Sequence, residues 1–174
     1  MSERLQSVVT DVNCALLDAA DTLRTLVGQR VTISLSMAPR LGAVRVDPNV
    51  MRRVIIGLAR NADEAMPTGG LLFIETQNTH FEAEKDCDGI DLSPGDYVCL
   101  SVSHTCTTPE PIGSVASDCG MELRLALIHE FAKRNGGAVT VHSELDAGAT
   151  VSLFLPQAVK DTFSISLKEQ LRMV

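Results

Sequence analysis

The stretch VDPNVMRRVIIGLARNADEAMPTGGLLFIET, residues 46–76, carries the clearest structural signal in this chain. Asp47 and Pro48 are typical of a helix start, because an aspartate accepts hydrogen bonds from free backbone N–H groups and proline fits the first helical position. We therefore expect a helix from Pro48 to about Ala65. Six apolar residues at helical spacing form its expected inward face: Val50, Met51, Val54, Ile55, Leu58 and Ala62. The Pro-Thr-Gly-Gly turn that follows ends the helix, and residues 71–76 predict a strand.

Before this stretch, an apolar seam with a heptad repeat predicts an N-terminal helix that ends near Gly28, a favourable cap residue. The seam residues are separated alternately by four and three positions: Leu5, Val9, Val12, Leu16, Ala19, Leu23 and Leu26. The seam fits two alternatives, packing onto the helix's own domain or a homodimer through residues 5–26. Residues 31–36 alternate between apolar and polar side chains and predict a strand.

After residue 76 the pattern predicts loops, strands and a helix at 121–134. Alternating side chains predict three strands: 97–102, 139–142 and 150–155. Polar segments at 79–95 and 103–120 predict loops, and residues 158–172 predict a short terminal helix. This order of elements is typical of an α/β sandwich, with about three helices on one face of a mixed sheet.

Composition argues against several classes of function. The net charge is −7 and no basic stripe is interleaved with aromatic residues, so we expect no nucleic-acid partner. No apolar run approaches the roughly 18 residues that span a bilayer, and no signal peptide is visible. The five cysteines never form a CxxC pair, which argues against a cysteine metal site or a disulfide framework. We expect a cytoplasmic protein with reduced thiols.

Three separated segments resemble the ATP-binding domain of sensor histidine kinases, in the same order along the chain. Residues 46–71 resemble the family's N box, in which a helix that opens at Asp-Pro carries an Asn-Ala-x-Asp-Ala-Met-Pro-x-Gly-Gly segment. Residues 95–102 resemble the strand that leads into the first glycine box, and residues 135–156 resemble the closing hairpin. The similarity covers about residues 26–156.

The resemblance implies a two-layer α/β sandwich of the histidine-kinase ATPase type, with a mixed sheet. We place this domain at residues 29–157. An N-terminal amphipathic helix at residues 1–28, for packing or dimerisation, precedes it, and a C-terminal extension at residues 158–174 follows it.

The family's N-box asparagine coordinates the magnesium ion that bridges the ATP phosphates. Asn61 matches that position and is the expected metal ligand, since an amide oxygen suits a hard cation. Glu64 stands where an acid is common in the family, and Gly57 replaces a polar residue of the box. The resemblance therefore implies one remaining amide ligand where the family has two polar groups.

The positions that read adenine in the family are altered. The family uses Asp-x-Gly, and His104-Thr105-Cys106 stands in its place. A neutral imidazole accepts a hydrogen bond on one nitrogen only, unlike a carboxylate. Ala149 replaces a threonine whose hydroxyl supports the base.

The phosphate-binding glycines are altered as well. The family's second glycine box, Gly-Leu-Gly-Leu, falls on Glu122-Leu123-Arg124-Leu125, and Gly120 alone remains nearby. Glycines let backbone N–H groups approach phosphates. We therefore expect Mg-ATP binding that is weak or lost.

A His129-Glu130 pair superficially resembles a phosphoacceptor box. It falls on the helix before the Gly-Gly turn, and the N-terminal heptad helix contains no histidine, so we identify no catalytic residue.

These observations predict a two-component signalling protein, a pseudokinase that acts through contacts with a response regulator, a histidine kinase partner or itself, with the heptad helix as the expected contact. Two alternatives stay open, and a nucleotide titration is needed to distinguish the pseudokinase from them. One is an active, Mg-ATP-dependent sensor histidine kinase catalytic domain, and the other is an anti-sigma-factor-like regulator.

Overall fold

The computed structural model describes residues 7–82, 92–105, 119–144 and 148–158. Within these ranges the chain forms three α-helices: α1 Val12–Val27, α2 Pro48–Glu64 and α3 Cys119–Arg134. The same ranges contain the strands β1 Val8–Thr10, β2 Val31–Met37, β3 Val44–Val46, β4 Gly70–Phe81, β5 Gly95–His104, β6 Ala138–Glu144 and β7 Gly148–Pro156. None of the helices in the described ranges is both long and apolar enough to cross a membrane.

Helix α2 begins and ends where the sequence predicts. The Oδ1 of Asp47 accepts hydrogen bonds from the backbone N–H groups of Asn49, at 2.8 Å, and Val50, at 3.3 Å. The predicted inward face is buried except for Val50, which is half-buried. The turn after α2 needs Gly69, because its φ of 97° is in the left-handed region and a Cβ would collide with the backbone of Arg30.

Five strands form one mixed sheet in the order β2-β4-β5-β7-β6. Strands β2 and β4 run parallel, and the other neighbours are antiparallel. All three helices contribute to one hydrophobic core with the inner face of this sheet, which includes Leu72, Ile74, Leu100 and Leu153. The predicted α/β sandwich with helices on one face of a mixed sheet is confirmed.

The N-terminal helix begins later than the heptad pattern predicts. Residues 8–10 form β1, which pairs antiparallel with β3. The prediction that the helix extends through Val9 is therefore wrong, and Leu5 lies outside the described residues. The helix starts after Asp11, whose Oδ1 caps it by accepting from the N–H of Asn13 at 2.8 Å. The hydroxyl of Thr10 donates a hydrogen bond to the Val46 carbonyl at 3.0 Å. This bond stabilises the two-stranded ribbon that β1 and β3 form.

The middle of the heptad seam is buried inside the chain's own domain. Four seam residues are at most 1% exposed: Val12, Leu16, Ala19 and Leu23. They share one core with α2, so these four residues pack within the domain, which is the first of the two alternatives. The homodimer through residues 5–26 stays a prediction. The helix ends before Gly28, with φ 62°, as its cap position predicts.

The remaining elements are longer than their sequence patterns indicate. The predicted loop at 79–95 is wrong at its start, because β4 continues to Phe81. The predicted loop at 103–120 is wrong at both ends, since β5 reaches His104 and α3 begins at Cys119. Cross-strand pairing and packing extend elements beyond the residues with a clear local pattern. The predicted terminal helix at 158–172 lies outside the described residues apart from its first position.

Candidate functional site

Asn61 lies near the end of α2 with its side chain directed toward α3. The residue is 7% exposed, and its Oδ1 accepts a hydrogen bond from the Nε of Arg124 across 2.7 Å. Leu58 and Ala62 are buried on the same helix, so they fix its rotation and keep Asn61 on the inward side. The sequence resemblance identified both partners but did not predict that they would meet.

Glu64 completes the contact between the two helices. It follows Asn61 by three residues and so lies on the same side of α2. Its Oε2 accepts from the Nη2 of Arg124, and its Oε1 accepts from the Nε of Arg60 across 3.3 Å. We call Asn61, Glu64, Arg60 and Arg124 the Arg124 cluster. Its formal charge is +1, because two guanidinium groups share one carboxylate.

The orientation of the Asn61 amide follows from its partner. A guanidinium group can only donate hydrogen bonds, so the atom that faces Arg124 must be the amide oxygen. The Nδ2 atom therefore points elsewhere, and it is buried without a hydrogen-bond partner among the described residues. A buried donor left unpaired costs about 1–3 kcal/mol, so the contact with Arg124 holds Asn61 in an otherwise unfavourable arrangement.

The family resemblance implies Mg²⁺ at Asn61, and the groups present do not fit it. Mg²⁺ takes oxygen ligands in a strict octahedral geometry. The Asn61 oxygen is occupied by a guanidinium N–H, and each Glu64 oxygen accepts from an arginine. A divalent cation would also meet the fixed positive charge of Arg124, since arginine cannot be deprotonated in proteins. We derive no role for a metal from this arrangement.

His104 and Ala149, the two described positions expected to read a base, are brought together by strand pairing. They lie opposite each other where β5 meets β7. Gly148, with φ 112°, lies so close to the His104 carbonyl that a Cβ would collide with it. The Nδ1 of His104 is buried without a partner in the described part of the chain. Burial lowers the pKa of His104 below its usual 6.5, opposed by a hydrogen bond with the Thr105 backbone.

A cavity of about 330 Å³ adjoins these two positions. Its floor includes Ser103 and Thr150, whose hydroxyl oxygens lie 2.8 Å apart on neighbouring strands. The lining residues are Leu71, Phe73, Ser103, His104, Thr105, His142, Gly148, Ala149 and Thr150. This cavity was not apparent from the sequence, because its lining combines residues of four strands that lie between positions 71 and 150.

The structure thus brings the predicted site together in two parts. Asn61, Glu64 and Arg124 form one part, and His104 with Ala149 forms the other. The backbone of Gly120 lies at the start of α3. Cys106 and the side chain of Glu122 lie outside the described residues, so their expected roles remain predictions.

One arginine near the site was missed at the sequence level. The Nη2 of Arg30 lies 2.5 Å from the Oδ1 of Asp63, and its Nη1 donates to the carbonyl of Met66. These contacts hold the end of α2 through residues other than those that Arg124 contacts. In the sequence, the acidic Asp63 at the helix end indicates that a basic partner is needed. That partner, Arg30, is 33 residues away in the sequence and could not be identified from spacing.

Comparison with known proteins finds similarity to histidine kinases, although no family model matches the chain. It is 27% identical over 174 residues to the sensor kinase CckA of Brucella abortus, covering 91% of this chain and 18% of CckA. It is 28% identical over 115 residues to the histidine protein kinase DivJ of Caulobacter vibrioides, covering 65% of this chain and 19% of DivJ. The chain therefore spans about a fifth of the length of these curated relatives.

Solved structures of low sequence identity share the fold. The mycobacterial sensor histidine kinase MprB has a TM-score of 0.64 at 16% identity, covering 86% of this chain and 98% of MprB. The catalytic domain of histidine kinase ThkA has a TM-score of 0.60 at 14% identity, covering 88% and 98%. Full-length ShkA, solved in complex with AMPPNP, has a TM-score of 0.61 at 21% identity, covering 91% and 33%. The predicted resemblance to sensor histidine kinases is confirmed.

Proposed function

We propose that this chain, which has the fold of histidine kinase catalytic domains, is a two-component signalling module that has weak or no Mg-ATP binding. It acts by contact with a response regulator or a histidine kinase partner. The observation that carries this proposal is the hydrogen bond from Arg124 to Asn61, across 2.7 Å. A guanidinium group occupies the oxygen that would otherwise be available to a metal.

The free-energy cost of displacing Arg124 depends on how firmly its partners hold it. Hydrogen bonds that involve a charged group contribute about 1.5–3 kcal/mol each, and Arg124 makes one to Asn61 and one to Glu64. Binding of Mg²⁺ would have to displace Arg124 from both partners. The changes at His104 and Ala149 weaken the base end of the same expected site, because a neutral imidazole and a methyl group replace a carboxylate and a hydroxyl.

A contact with another protein needs a surface that the domain does not bury. The α1 seam is buried in the core, so it is a poor candidate in the folded domain. Leu123 and Leu127 lie one turn apart on α3 and are each 62% exposed. Leu127, Phe131 and Val50 also line a cavity of about 320 Å³ between α3 and the start of α2. We propose that the exposed face of α3 takes part in the contact with the response regulator or histidine kinase partner.

A thermal denaturation experiment tests the loss of nucleotide binding. A ligand at a hundred times its dissociation constant stabilises a protein by about 2.7 kcal/mol, which raises the Tm of a domain this size by several degrees. We expect no such shift with millimolar Mg-ATP. A shift of several degrees that Asn61→Ala abolishes would contradict the proposal.

That contrary result would favour the alternative of an active catalytic domain. The observation on its side is the fold shared with ShkA, which was solved with AMPPNP. An anti-sigma-factor-like regulator would also need ATP, so the same experiment would leave it open. A binding assay with a sigma factor and with a response regulator would then separate the two.

A further inference from the structure

We infer that the open edge of β2 pairs with the β2 strand of a second copy of this chain. The two strands run antiparallel about a two-fold axis at Ser34, so that the sheets of both copies join into one continuous sheet. This contact goes beyond the proposed function, because it does not depend on whether the domain binds Mg-ATP. It also differs from a homodimer through residues 5–26, because it uses a strand edge and not the α1 seam.

Strand β2 has a neighbouring strand on one side only among the described residues. The sheet order β2-β4-β5-β7-β6 places β2 at one end, where it is hydrogen-bonded to β4. A strand at the edge of a sheet presents a row of backbone N–H and C=O groups that no neighbouring strand receives. Such a row is a template for a strand from another chain.

The β2 edge lacks the features that protect other sheet edges from association. Natural proteins block open edges with very short strands, charged side chains or proline. The seven residues of β2, VTISLSM, include no charged residue and no proline. By contrast, β6 at the other end of the sheet includes the acidic Glu144, and β1 of the small ribbon is only three residues long. The β2 edge is therefore the one that favours pairing.

The apolar residues of β2 are complementary to themselves in an antiparallel pair centred on Ser34. In this register Ile33 faces Leu35 of the second copy, and Val31 faces Met37 of the second copy. In each chain Ile33 and Leu35 lie on the inner face of the sheet, since both pack against the core. Pairing therefore matches apolar residues with apolar residues on the same face of the joined sheet.

The polar residues of β2 match in the same register. Thr32 faces Ser36 of the second copy, and Ser34 faces Ser34, so no charges are opposed. All seven residues of each strand are paired, whereas the nearest registers that keep the faces matched leave two residues of each strand unpaired. Facing residues are both even or both odd in number, so the outward backbone groups of one strand meet those of the other. This match is what points to a second copy as the partner.

Apolar side chains at the edge are incompletely buried in a single chain. Ile33 and Leu35 are half-buried although they pack against the core, and Met37 is 36% exposed. Neighbouring strands in a sheet lie about 4.8 Å apart, so pairing would place the apolar residues of the second copy directly beside them. Removal of this apolar surface from water favours association.

The first test measures the mass of the full chain by light scattering over a range of concentrations. We expect the mass to rise from one chain toward two. Ser34→Lys places two positive charges opposite each other and should raise the dissociation constant of the dimer by roughly fivefold. Ser143→Lys is the matched control, because Ser143 is an exposed serine on β6 at the other end of the sheet. An equal mixture of Ser34→Lys and Ser34→Glu chains should restore association, because opposite charges then face each other.

The second test examines the register by disulfide cross-linking and uses small side chains that preserve the fold. Directly opposed residues of antiparallel strands have Cα atoms within the range that a disulfide spans, so Ser34→Cys should give a covalent dimer on mild oxidation. Thr32→Cys is its control, because Thr32 faces Ser36 and two Thr32 positions would lie more than about 13 Å apart. The wild type, with five cysteines of its own, sets the background.

Each outcome decides the inference. A dimer weakened by Ser34→Lys alone, restored in the mixture and cross-linked through Ser34→Cys alone supports it. A mass of one chain at every concentration overturns it and leaves the proposed function standing. A dimer that Ser34→Lys leaves intact, or that Ser143→Lys weakens equally, overturns it in favour of another surface. Equal cross-linking of Ser34→Cys and Thr32→Cys overturns the register centred on Ser34.

Discussion

The Nε of Arg124 lies 2.7 Å from the Oδ1 of Asn61 and joins α3 to α2 across 63 positions of sequence. Because the Asn61 side chain is buried, this hydrogen bond is shielded from competing water. The geometry of the candidate site therefore depends on a contact between two helices rather than on either helix alone.

The two residues should be energetically coupled. Arg124→Met leaves the buried Asn61 oxygen without a donor, so we expect the free energy of unfolding to fall by about 1–3 kcal/mol. Asn61→Ala should have a similar cost. Urea denaturation of both single variants and the double variant measures their coupling, which we expect to be about 0.5–3 kcal/mol. Strictly additive effects would refute a direct interaction.

Gly57 should accept a side chain and become more stable. A Cβ there would meet only the Cδ1 of Ile128, at 3.9 Å, and φ is not in the left-handed region. Glycine within a helix is less favourable than alanine by roughly 0.5–1 kcal/mol, so Gly57→Ala should raise the free energy of unfolding by that amount. Gly148→Ala is the contrasting case and should lower it by more than about 1 kcal/mol, because its φ of 112° and the nearby His104 carbonyl resist a Cβ. Destabilisation by Gly57→Ala would mean that α2 is packed differently at this point.

Two adjacent leucines of α1 separate core packing from self-association. Leu16 is 0% exposed and Leu17 is 55% exposed. We expect Leu16→Ala to lower the free energy of unfolding by about 2–5 kcal/mol and Leu17→Ala to change it by less than about 0.5 kcal/mol. Size-exclusion chromatography with light scattering should give the same mass for the wild type and both variants. A dimer that Leu16→Ala dissociates without loss of stability would instead favour pairing of the seam between chains.

His104 should make stability sensitive to acid. Burial lowers its pKa in the folded state below the usual 6.5, whereas the unfolded chain keeps about that value. Below about pH 6.5 the unfolded state therefore binds more protons, and the free energy of unfolding decreases as the pH falls through the folded pKa. His104→Gln should lose less stability than the wild type between about pH 7.5 and 5.5 in urea denaturation. His129→Gln, on the exposed side of α3, is the control and should follow the wild type.

The elements that were predictable from sequence have local causes. Helix α2 is specified by Asp47, Pro48 and apolar residues that are all within one segment. The three-residue strands β1 and β3 were not predicted, because three residues are too few for a clear alternation and each strand depends on a partner, such as Val46 for Val8. Val9 fits a heptad position by spacing alone, yet it is 57% exposed in a strand.

The sequence identified the positions of the candidate site residues but not the contacts between them. The family resemblance located Asn61, Glu64 and Arg124 without indicating that they bind one another. That contact depends on how α3 packs on α2, and two strands, β4 and β5, separate these helices in the sequence. His104 and Ala149 were likewise located separately, and the pairing of β5 with β7 brings them together.

The ribbon of β1 and β3 has a mechanical consequence. A pull on the chain at Ser7 acts along β1, which is held to β3 by three residue pairs. The ribbon must part before the load reaches α1, since Asp11 directly follows it. We expect a load on β1 to reach β3 first, and β3 is joined through Asp47 to the start of α2, the helix that carries Asn61.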